Sequence, residues 1–152
     1  MNTWSHRLEA ALALHGAAGY IADFPSYRPD LVEELARALG FTYVDFRATR
    51  LAPLRLEAHR LGLDAIEAAI DGVEGAGVVV HNAEALLAAK GETERRAFLA
   101  AFLTRARERP AILPMTLFGR ETPDSPRHVT FLPGELPEET LLSQLGSMRW
   151  QA

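Results

Sequence analysis

The run Val78-Val79-Val80 constrains this chain more than any other stretch. Gly75 and Gly77 bound it on one side and His81-Asn82 on the other. Consecutive β-branched residues favour a strand. Side chains alternate across a strand, so an unbroken apolar run has to be covered on both faces. Such a strand belongs inside a parallel sheet with helices above and below.

The flanking pattern agrees. Residues 19–23, 41–46, 111–118 and 128–132 read as further strands, and helical stripes fall between them. Leu31, Leu35 and Leu39 form one stripe, opened by Pro29 and ended by Gly40. Others cover 5–15, 64–72, 83–89 and 94–107, with Ser5, Asp64 and Thr93 as expected caps. Asp64 and Glu67 have capping-box spacing. This alternation predicts an α/β fold, a three-layer sandwich around a mainly parallel five-stranded sheet. One domain spans 1–152: an N-terminal helix over 1–16, a sheet core over 19–132 and a C-terminal helix over 137–146. His81 and Asn82 are expected to end a central strand flanked by the strands of Ile21 and Ile112.

Two segments resist this reading. Pro53 breaks 47–62, leaving a helical turn or two over 54–61. Pro114 argues against a regular central strand. The connection before residue 128 is too short and proline-rich for a crossover helix, so the fifth strand is either an antiparallel hairpin partner of the fourth or lies parallel.

Composition narrows the function. The formal charge of −4 gives no reason to expect a broadly basic nucleic-acid surface. Arg95, Arg96, Arg105, Arg107 and Arg109 read as a solvated face. With no cysteine there are no disulfides, thiolate metal sites or cysteine nucleophiles, and the five histidines are scattered. No apolar run reaches the ~18 residues of a membrane span. Arg7 and Glu9 interrupt the apolar pattern a signal peptide needs. The expectation is a soluble, cytoplasmic protein without cofactor or metal.

Residues 19–31 read as a short buried strand, a tight loop and the first turn of a helix, the place where an open α/β sheet holds a phosphate. A phosphate loop requires G-x-x-x-x-G-K-[ST]. In the window 22–29, Tyr27 stands at the second glycine, Arg28 at the lysine and Pro29 at the hydroxyl residue. Arg28 and Ser26 are the residues left to hold an anion. Phe24, Pro25 and Tyr27 either fill the vacated phosphate space or form an exposed contact loop. Asp23, Asp45, Arg47, His81, Asn82 and Thr116 fall at strand ends, where open α/β sheets bind ligands.

The order of elements resembles the core of P-loop NTPases of the AAA+ and related kind. Residues 20–39 look like the first strand, phosphate loop and helix, and 41–46 like the second strand. The run G-V-V-V-H-N-A-E-A-L-L over 77–87 resembles the strand that ends in the magnesium-orienting aspartate, and 112–118 the sensor strand with Thr116 at its tip. The resemblance also implies the parallel placement of the fifth strand. His81 replaces the aspartate and Asn82 a catalytic carboxylate, and neutral imidazole is a poor magnesium ligand. Phosphoryl transfer rests on positioning and charge, so ATP hydrolysis is not expected. The resulting expectation is a non-catalytic interaction or regulatory protein that binds a protein partner or itself. The alternatives are a nucleotide- or anion-binding protein with weak or no hydrolysis, and a small hydrolase using His81 with Asp23 or Asp45.

Overall fold

The computed structural model describes residues 3–139. Five strands, β1 (Gly19–Asp23), β2 (Thr42–Asp45), β3 (Val78–His81), β4 (Ala111–Met115) and β5 (His128–Thr130), form one sheet in the order β2-β3-β4-β1-β5. All pairings are parallel, including that of β5 with β1. The expected flanking of β3 is corrected: its neighbours are β2 and β4, and the strand of Ile21 lies one place further on. After β1 the chain crosses to the far edge and fills the sheet back toward it, so β4 takes the place beside β1.

Two helix layers cover the sheet. Helices α1 (His6–His15) and α2 (Pro29–Leu39) pack on one face through Leu8, Leu31 and Leu35 against Tyr20, Val79 and Ile112. Helices α3 (Asp64–Asp71), α4 (Glu84–Leu87) and α5 (Glu92–Thr104) pack on the other, with Ile66, Leu86 and Phe102 against Ile21, Val78 and Val80. The valine run is divided between the two layers, as its double-faced apolarity requires.

Several helix starts differ from expectation. Ser5 is buried and its hydroxyl donates to the Glu9 carboxylate at 2.8 Å instead of capping a backbone amide. Leu63, not Asp64, precedes α3, and Glu67 is buried, accepting two bonds at 2.8 Å from Arg107. Gly91, not Thr93, precedes α5. The arginines read as a solvated face are instead largely internal staples. Arg95 grips Glu121 at 2.7 and 2.8 Å, and Arg109 donates to the carbonyls of Ile70, Val73 and Gly75. Residues 47–60 form two irregular helical stretches, Arg47–Leu51 and Ala52–Arg60, kinked at Arg55 with φ 52°. The C-terminal helix expected over 137–146 lies almost wholly outside the described residues.

Pro114 sits inside β4 after all, and its position explains how. The Ala111 amide donates to the Ala18 carbonyl, on the β1 side. Amide direction alternates along a strand, so the missing N–H of Pro114 falls on the β3 side. The β3–β4 pairing stops at Val79–Ile112, two residues before Pro114, while β1–β4 pairing continues to Asp23–Met115. The two central strands therefore part at their C-terminal ends.

Gly19 opens β1 where a Cβ would collide with the Phe102 carbonyl at close range. Gly19→Ala is expected to destabilise the fold by about 2 kcal/mol, through overpacking of β1 against α5. Urea denaturation beside the parent measures it, and an unshifted midpoint would show that the strand and helix have room to move apart.

Candidate functional site

The gap between the parted strands is a cleft of about 270 Å³. It lies where outgoing connections diverge, since β1 leads to α2 on one face and β3 leads to α4 and α5 on the other. Phe24, Ser26, Tyr27, Arg28, Arg47, His81, Asn82 and Thr116 all line it. Eight of the residues singled out in the sequence thus converge there. Asp45 stands one bond behind the cleft, and Asp23 is not part of it.

Tyr27 organises the polar side. Its ring stacks on His81 with centroids 5.5 Å apart and planes 21° from parallel. Its hydroxyl donates to Asn82 Oδ1 at 2.9 Å and accepts from Arg47 Nη2 at 3.4 Å. Asn82 Nδ2 donates to Asp45 Oδ1 at 3.0 Å. Asn82 has φ 63°, a left-handed conformation that asparagine tolerates better than most residues. The side-chain bonds to Tyr27 and Asp45 hold that conformation in place.

His81 is buried beneath Tyr27, and Tyr43 Oη lies 2.8 Å from its Nδ1. Burial lowers the imidazole pKa to about 4; the nearby Asp45 raises it and Arg47 lowers it further. Burial also pushes the Tyr43 phenol up, with Asp45 and Glu33 adding to the effect. Near neutral pH the pair is therefore uncharged, and a neutral hydrogen bond joins the phenol and the imidazole. A hydrolytic base needs a carboxylate to orient it. Tyr43 occupies that position here, Asp45 is engaged with Asn82 and the Ala48 amide, and Asp23 faces β5. The Asp23 carboxylate approaches His128 Nε2 at 3.6 Å and accepts from Thr130 Oγ1 at 3.4 Å. Burial pushes its carboxyl up, and both of these partners pull it back down.

Arg28, one of the two residues left to hold an anion, is buried and paired with Asp30. It is 6% exposed and makes a forked bond to Asp30 at 3.0 and 3.1 Å, with Glu139 at 3.9 Å. Pro29 follows as the first residue of α2. The contact-loop expectation is corrected for Phe24. Its ring is buried against Trp4 and Phe131, with centroids at 6.1 and 5.0 Å, and reaches the surface only at the wall of the cleft. Pro25 and Ser26 are exposed and Tyr27 is half-buried. The loop is thus divided, with one aromatic in the core, one over His81 and two small residues at the surface.

Glu84 is the site residue that sequence reasoning missed. It opens α4, and its carboxylate accepts from the Thr116 and Leu117 amides at 2.6 and 2.7 Å. Burial raises its pKa while these amides lower it. A carboxylate in a first helical turn was visible in the sequence, but its partners lie 32 and 33 residues away. The apolar side of the cleft comes from Val32, Ala85, Ala88, Met115 and Leu117, the last 68% exposed at its mouth. Among the described residues, no group of three or more His, Cys, Asp or Glu could hold a metal ion, and no helix is long and apolar enough to cross a membrane.

Two outcomes follow from this geometry. The folded His81 pKa lies below its unfolded value of 6.5, so the unfolded chain binds more protons between the two. The stability that His81 contributes is present above pH 6.5 and is lost as pH falls toward 4. The loss amounts to about 3 kcal/mol over that window. Denaturation midpoints between pH 4 and 7 should fall with acid in the parent and less steeply in His81→Phe; equal slopes would refute it. Tyr27→Gly removes a half-buried ring and its bonds, and is expected to cost about 2 kcal/mol. An unchanged denaturation midpoint would mean that the stacking contributes nothing.

No family model, curated protein or solved structure matches the chain.

Proposed function

We propose that this chain is a non-catalytic interaction protein on a degenerate P-loop-NTPase-type sheet, binding a protein partner or a second copy of itself through its strand-end edge. The observation that carries the reading is Tyr27 lying on His81 and bonded to Asn82, where a phosphate loop would leave open space lined by amides. Arg28 is engaged by Asp30 and Pro29 has no amide to offer an anion. Among the described residues the one carboxylate lining the cleft is Glu84, whose two oxygens each accept a backbone amide. Magnesium would find neither a hydroxyl nor a spare carboxylate in the expected places.

The cleft has the composition of a binding pocket for an apolar side chain. Aliphatic walls from Val32, Ala85, Ala88 and Met115 meet a few fixed polar groups at one end. Leu117 extends the apolar wall outward, and an exposed leucine beside such a pocket supports a protein contact.

Thermal unfolding with ATP, ADP and GTP at millimolar concentration, with and without magnesium, tests the reading. No shift in Tm is expected, and no ATP turnover above a buffer control. A shift above about 2 °C that disappears in Arg28→Ala would replace this reading with the nucleotide- or anion-binding one.

A further inference from the structure

On either side of the cleft, which Arg47 of the one and Ser26 and Arg28 of the other also line, the chain carries two surface features of opposite character. The first is the irregular projection Arg47–Arg60. It holds four arginines against one glutamate in a chain whose total is −4, so the rest of the molecule is markedly acidic. At its tip Leu56 is 88% and Leu54 40% exposed. Arg55 stands between them at φ 52° and ψ −122°, a backbone region that residues with a Cβ rarely occupy. Paired leucines held outward on a basic projection are not explained by the packing of this chain.

The second feature is a pocket of about 570 Å³ with walls from Pro25, Pro133, Leu136 and Pro137. Glu138, Glu139 and Arg28 also line it, with Arg28 bonded to Asp30 and 3.9 Å from Glu139. Its lining joins apolar side chains to carboxylates, where the projection joins leucines to arginines.

The topology keeps the two apart. The projection follows β2, the first strand of the sheet order, and the pocket walls follow β1 and β5 at the opposite end. We propose that the two meet between molecules: Leu54 and Leu56 of one copy seat in the proline-walled pocket of the next, with arginines of the projection facing Glu138 and Glu139. The contact joins unlike surfaces, so each copy keeps one free projection and one free pocket, and assembly runs head to tail. This inference uses neither Tyr27 nor the apolar cleft, so it stands or falls separately from the binding role given to them.

Sedimentation velocity of the full chain over about two decades of concentration provides the test. The parent is expected to pass from monomer to larger species, and to revert toward monomer in about 0.5 M salt as the charges are screened. Leu56→Asp removes the projection's tip, and the double change Pro137→Arg with Glu138→Arg closes the pocket. All three positions are exposed, and circular dichroism checks that both variants remain folded. Each variant alone should stay monomeric. Mixed together, they should form a two-chain species and nothing larger, since one supplies the pocket and the other the projection. A parent that is monomeric throughout overturns the proposal. So does either variant assembling like the parent, a mixture that stays monomeric, or a mixture that grows beyond two chains.

Discussion

A missing hydrogen-bond donor at Pro114 shapes the cleft end of this molecule. Parallel strands stay together through an evenly spaced ladder of amides and carbonyls. Pro114 removes one donor on the β3 side of the sheet's middle strand, and the ladder there ends at Ile112. On the other side β4 still pairs with β1 to the last residue. The strands therefore separate on one side only. The cleft, the exposure of its apolar wall and the reach of Glu84 across to the Thr116 and Leu117 amides all follow from that one-sided break.

What fills the polar end of the cleft is a chain of side-chain contacts that ends on a carboxylate. Tyr43 meets His81, His81 lies under Tyr27, and Tyr27 bonds Asn82, with Asp45 closing the series. Each buried polar atom in the series has a partner, which makes such a network rigid instead of costly. A site that handles phosphate needs the opposite: unsatisfied amides, mobile cations and room for solvent to leave. The residues read at these positions in the sequence and the packing seen in space are thus two aspects of one arrangement, in which the polar groups satisfy one another.

The sheet was readable because each strand announces itself within a few residues. The valine run, the helical stripe of Leu31, Leu35 and Leu39, and the glycines at 40 and 77 specify local structure by local rules. Strand order is a different kind of information, because which strands neighbour β3 depends on where the chain travels between them. The same division holds at the site. That Tyr27, Arg47, His81 and Asn82 share one strand-end edge could be read from their places after strands. That Tyr27 lies on His81, or that Asp23 turns to His128, could not, because those contacts bridge 54 and 105 positions and depend on side-chain direction. Which of its two alternatives Phe24 takes was not legible for a related reason: its ring packs on Trp4 and Phe131, far from it in sequence.

The place of β1 has a consequence for how the molecule is made. The first strand in sequence lies between the last two in space, and β4 and β5 arrive about 90 and 105 residues after it. While the ribosome is still delivering that later half, β1 has both edges unpaired and the buried face of Ile21 without a partner layer. Only β2 and β3 can pair before it. The sheet is therefore completed late, when residues 111–130 close around β1, and until α3 to α5 are in place α1 and α2 can cover only its other face, that of Tyr20 and Ala22.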